Sequence, residues 1–115
     1  MATKVTRGEE VIHPDSVRNV FVDFAKELSD TGDDLTGTPV VTEVTTSDLT
    51  LENKAVGGTT FTDDEGYSWT ANKYVTFTAS GWQDDTDYEV LIKPTTDAAN
   101  AETLAAVVKF RCRGN

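Results

Sequence analysis

Short runs in which apolar and polar positions alternate dominate this chain, and a period of two is the mark of a half-buried β-strand. The first run is Val17–Phe24, where Val20, Val22 and Phe24 alternate with Phe21 and Asp23. Ala25–Leu28 then has room for one helical turn, closed by the turn cluster Ser29–Asp34. Thr38–Val44 is the next expected strand, with Pro39 at its start or on a sheet edge because it has no N–H for the ladder. Ser47 and Asp48 break the chain, and Leu49–Asn53 alternates again. Gly57-Gly58 reads as a loop, and Phe61–Trp69 carries Asp63-Asp64-Glu65-Gly66 as a hairpin tip or loop.

Lys73–Ala79 is the clearest central strand, with Val75, Phe77 and Ala79 on one face. Gly81–Asp87 is a turn. Tyr88–Lys93 follows with Tyr88, Val90 and Ile92 on one face, and Pro94–Asn100 turns. The last strand covers about Leu104–Arg113. Ala106, Val108, Phe110 and Cys112 point one way, and Val107, Lys109, Arg111 and Arg113 the other. The expected fold class is therefore all-β: a β-sandwich of about seven short strands over residues 17–115. Residues 1–16 are polar and mixed in charge, and read as an N-terminal arm. Tyr88 opens the second-last strand after a polar turn, where Greek-key sandwiches often hold a tyrosine corner; an ordinary Tyr at the core edge is the alternative.

Composition agrees with this pattern. Nineteen Thr and thirteen Val supply β-branched side chains suited to strands. At 115 residues the chain is one domain with one modest core. Ten Lys and Arg against 20 Asp and Glu give a formal charge of −10. That balance argues against nucleic acid as a partner, since phosphate contacts need clustered cations. No run of about eighteen apolar residues is present to cross a membrane, and residues 1–10 lack the apolar stretch of a secretory leader. The strands do not alternate with helices, and no glycine-rich phosphate loop follows one, so nucleotide-binding folds are not expected.

Candidate chemistry is sparse. One Cys, Cys112, excludes an intrachain disulfide, and its apolar surroundings suggest a small buried side chain. Together with the single His13 it falls short of a zinc ligand set. Three acidic clusters, Asp30/Asp33/Asp34, Asp63/Asp64/Glu65 and Asp84/Asp85/Asp87, fall in turns. They could gather oxygen ligands for calcium, but none follows the EF-hand pattern, and solvated turns are the simpler reading. No metal, cofactor or catalytic residue is assigned. Lys109, Arg111 and Arg113 form the one basic cluster, either guarding an edge or docking on an acidic surface. Trp69 and Trp82, if exposed, would be interface or sugar-stacking residues; otherwise they cap the core. Phe21, Val11 and Ile12 complete the set of candidate interface anchors.

These residues also carry a resemblance. Val20-Phe21-Val22-Asp23-Phe24 with Leu28 and Asp30-Thr31-Gly32-Asp33 resembles the opening of the fibre–tail adaptors of tailed bacteriophages. Val75–Gly81, Thr86-Asp87-Tyr88-Glu89-Val90 and Thr95-Thr96-Asp97 resemble the second half of that family, so that the likeness covers about residues 17–113. Asp97–Ala101 replaces the family's usual glycine turn, and residues 1–16 exceed its typical start. The resemblance implies a non-enzymatic immunoglobulin-like protein of the virion, assembled in the host cytoplasm. It would join fibre or neck components to the tail by contacts with other virion proteins and with copies of itself. A capsid decoration protein and a glycan-binding adhesion domain are the alternatives.

Overall fold

A computed structural model describes residues 3–5, 9–29 and 32–114, with side chains from Val11 onward. Ten strands and one helical turn follow in order: β1 (Thr3–Val5), β2 (Glu9–Ile12), β3 (Arg18–Asp23), α1 (Ala25–Leu28), β4 (Leu35–Glu43) and β5 (Thr50–Val56). Then come β6 (Phe61–Thr62), β7 (Ser68–Trp69), β8 (Tyr74–Ser80), β9 (Thr86–Thr96) and β10 (Ala106–Cys112). One sheet has the order β1-β3-β8-β5 and the other β2-β10-β9-β4, while β6 and β7 form a separate hairpin. Non-sequential neighbours in both sheets are what Greek-key connections produce, and the two orders are those of an immunoglobulin-like sandwich whose first strand is split between the sheets.

The inward faces follow the alternation. Val20 and Val22 of β3 and Val75, Phe77 and Ala79 of β8 meet Val41 of β4, Tyr88, Val90 and Ile92 of β9, and Val108, Phe110 and Cys112 of β10. Trp82, just beyond the end of β8, closes the core by packing on Tyr88 and Phe110, with ring centroids 5.6 and 5.0 Å away. Beyond the other end of β8, Phe24 and Leu35 are buried, and their N–H groups donate to the carbonyls of Lys73 and Asn72.

Three expectations change. The expected arm of residues 1–16 supplies two strands: β1 runs parallel to β3, and β2 runs parallel to β10. Ile12 is 1% exposed and belongs to the core. Only two adjacent apolar residues mark β2, so alternation could not reveal it; its pairing comes from a strand nearly a hundred residues away. Pro94 lies inside β9, not in a turn. Its carbonyl accepts the Leu104 N–H at 2.9 Å in the register of the β9–β10 ladder, and its missing N–H falls where that ladder is interrupted, between Ile92↔Ala106 and the isolated bridge Thr95↔Thr103. Ten strands are described where about seven were expected: β1 and β2 are additional, and Phe61–Trp69 supplies the two short strands β6 and β7. Pro39 sits on edge strand β4 at an irregularity between Thr36 and Val40, as expected of a residue without a donor.

Tyr88 makes the expected corner. Its hydroxyl accepts the Gln83 N–H at 2.8 Å and donates to Asp48 Oδ2 at 3.1 Å. Gly81 permits this closure: its φ is +86°, and a Cβ there would lie 2.7 Å from the Asp48 carbonyl oxygen. Burial, more than the Asp48 carboxylate, pushes the Tyr88 phenol above its ordinary pKa. Tyr88→Phe removes both bonds from a buried site and is expected to cost about 1–3 kcal/mol. At about 4 °C per kcal/mol this is read as a fall in Tm. A raised phenol pKa means that stability is fully present below the unfolded tyrosine's pKa of about 10 and declines as pH climbs past it toward the folded value. The Phe variant loses that part of the alkaline slope; an unchanged slope in pH-dependent melts would refute the assignment.

Candidate interaction surface

The hairpin β6–β7 folds over the outer face of the β1-β3-β8-β5 sheet. There Phe21, Phe61, Tyr67, Trp69 and Tyr74 form a second cluster, separate from the inter-sheet core. Asp63 builds the hairpin: its Oδ1 accepts the N–H groups of Glu65 and Tyr67, and its Oδ2 accepts Trp69 Nε1–H at 3.0 Å. Tyr67 donates its hydroxyl to Asp23 at the end of β3. Phe21 is half-buried here and Trp69 is 1% exposed. Trp82, at 3%, is in the main core. Both tryptophans, and Ile12 with them, are therefore packing residues, and neither indole offers a face for stacking on a sugar. Val11 is the exposed partner of Ile12, at 62%.

The acidic clusters are used locally. Asp34 Oδ1 meets Lys73 Nζ at 2.9 Å, and its backbone exchanges bonds with Asp97. Asp84 Oδ1 accepts the Gly114 N–H. Asp87 and Asp85 approach Arg113 at 3.0 and 3.7 Å, so Arg113 is held by its own chain's turn. Asp30 lies outside the described residues. Among the described residues no three His, Cys, Asp or Glu side chains converge as metal ligands, and no helix is long and apolar enough to cross a membrane.

Titratable groups with shifted pKa are scattered. Burial raises the Glu43 carboxyl, but bonds from the Thr45 and Thr46 side chains and N–H groups outweigh it and hold the carboxyl below its ordinary value. Burial raises the Tyr74 phenol, whose hydroxyl donates to the Thr59 carbonyl. Burial, aided by Asp84, raises the Cys112 thiol. Cys112 is fully buried, and a thiol held in its neutral form is a poor nucleophile. A thiol reagent is expected to label it only as fast as the protein unfolds; rapid labelling of the native protein would contradict this placement.

What remains outward on a rigid frame is the outer face of the β2-β10-β9-β4 sheet. Register sets its rows. Thr42, Leu91 and Val107 lie side by side, then Glu89 beside Lys109, then Asp87 beside Arg111 and Val11. Val40 sits beside Lys93, and the Val44 N–H donates to the Glu89 carbonyl. Val40, Val44, Val107 and Val11 are exposed. Thr45, Asp87, Glu89, Lys109 and Arg111 line a shallow depression in this face. Sequence reasoning found Lys109, Arg111 and Val11, placed Asp87 only in an acidic turn cluster, and missed Glu89 and Leu91. The alternation of Tyr88, Val90 and Ile92 already implies that residues 87, 89 and 91 point outward.

The frame is that of an immunoglobulin-like β-sandwich, and among the described residues this sheet face presents a mixed apolar and charged surface. No protein-family model and no curated protein matches the chain. Among solved structures it is similar to a cysteine protease inhibitor from Entamoeba histolytica, with a TM-score of 0.47 and 8% identity over 96% of this chain and 93% of that one. A likeness of that degree assigns no activity to this chain.

Proposed function

We propose that this chain is a non-enzymatic structural protein of a tailed-bacteriophage particle, a tail-fibre or neck adaptor that docks neighbouring virion proteins. The observation that carries the reading is the outer face of the β2-β10-β9-β4 sheet. Exposed valines there lie beside charges of both signs on hydrogen-bonded strands. A rigid face of this kind loses little conformational entropy on docking, which favours a permanent assembly role. The strand and turn motifs shared with fibre–tail adaptors support the same reading. No nucleic acid, membrane or cofactor enters the proposed role.

Purified particles of the phage that encodes the chain are the test. Mass spectrometry of intact particles, and of separated tails and capsids, should find the protein with tails. Recovery with capsids alone would make it a decoration protein instead. Absence from particles would overturn the reading.

A further inference from the structure

We propose that the outer face of the β2-β10-β9-β4 sheet binds a second copy of this chain, face to face, about a two-fold axis running along the strands between β9 and β10. The argument is one of register. Asp87 lies directly across from Arg111, Glu89 from Lys109, and Leu91 from Val107. A two-fold rotation about that axis places β9 of one copy over β10 of the other, at the same level along the strands. Each row then meets its own mate: Asp87 faces Arg111, Glu89 faces Lys109, and Leu91 faces Val107, all twice over. Rows that pair opposite charges, or apolar with apolar, across the two strands are self-complementary under this rotation, and self-complementarity is what a two-fold interface requires. At the crossing of ~30° that twisted sheets adopt, rows ~7 Å from the centre shift by about 3–4 Å, less than one strand spacing.

The charge distribution also selects this face. The whole chain carries −10, so most of its surface repels a second copy. Here Asp87 and Glu89 are offset by Lys93, Lys109 and Arg111, and the face is nearly neutral. Asp87 already meets Arg113 at 3.0 Å, yet its side chain stays 67% exposed and open to a further cation. Apolar rows accompany the charges: Val107 is 43% exposed, and Val40, Val44 and Val11 flank it at 51%, 51% and 62%.

Size sets the strength. Four strands at ~4.8 Å and seven residues at ~3.4 Å give roughly 450 Å² per copy, about half of the ~800 Å² typical of one side of a stable interface. The dimer is therefore weak alone and is reinforced where an assembly holds copies close together. The inference rests on reading the chain as a docking module, but it fails separately. Particles carrying only monomeric copies would remove the dimer and leave the particle assignment intact.

Sedimentation velocity of the full chain across micromolar to near-millimolar concentration tests it. The wild type should shift from monomer to dimer mass. Lys109→Glu with Arg111→Glu gives a face bearing acids in both strands, and Asp87→Lys with Glu89→Lys gives one bearing bases in both. Each variant alone should stay monomeric, while an equimolar mixture should form a mixed dimer at least as readily as the wild type. Val107→Glu, at an exposed position, should also abolish the dimer if either charge variant fails to fold. A wild type that stays monomeric throughout, or variants that dimerise as well as the wild type, would overturn the proposal.

Discussion

Trp69→Ala is expected to cost about 3–5 kcal/mol, a large share of the ~5–15 kcal/mol that stabilises a domain of this size. The indole is 1% exposed although it lies on the outside of a sheet. It touches Phe21, Phe61, Tyr67 and Tyr74, with ring centroids 5.1–6.2 Å away. Its Nε1–H also closes the hairpin onto Asp63. The loss should be local. Trp69 and Tyr74 lie outside the inter-sheet core, so the sandwich can persist while β6 and β7 detach. Urea melts should show the lowered stability, and limited proteolysis should cut first within residues 58–71. Trp69→Phe keeps ring contacts but loses the Asp63 bond, and should recover more than half of the loss. A fall below about 1 kcal/mol in Trp69→Ala would mean that the hairpin contributes little to the fold.

The same cluster shows where sequence reasoning stops. Strands β3, β8, β9 and β10 were legible because each buries one face against a single core, and alternation reports that directly. Tyr88 and the Asp63–Gly66 tip were legible from turn chemistry. Phe21 was ambiguous because it occupies the outward phase of β3, and only a hairpin forty residues later covers it. β2 was hidden for a related reason: its partner is the far end of the chain. For the candidate surface, Lys109 and Arg111 were visible in β10, whereas their pairing with Glu89 and Asp87 depends on a register set by the loop between β9 and β10. Side-chain phase can be read within a strand, but relative position between strands comes from packing.

Gly57→Ala is expected to destabilise the protein by about 3 kcal/mol although it adds one methyl group in what reads as a loop. A Cβ at Gly57 would lie 2.0 Å from Tyr74 Cε2 and 2.1 Å from Cζ, so one of the two residues must move. Neither can move cheaply. The Gly57 N–H donates to the Tyr74 carbonyl at 2.9 Å, and its carbonyl accepts the Asn72 N–H at 2.7 Å. The Tyr74 ring stacks on Phe21 at 14° between planes, meets Trp69 and Phe61 at its other contacts, and donates its hydroxyl to Thr59. The neighbouring Gly58 has nothing within 4 Å of a built Cβ, so Gly58→Ala should change stability by no more than about 0.5 kcal/mol. Tyr74→Ala removes the obstructing ring at its own cost of about 3–5 kcal/mol, and in that background Gly57→Ala should add almost nothing. Chemical denaturation of the four combinations of Gly57→Ala and Tyr74→Ala gives the coupling directly. Equal effects of Gly57→Ala with and without the ring would show that the glycine is needed for its backbone and not for the closeness of Tyr74.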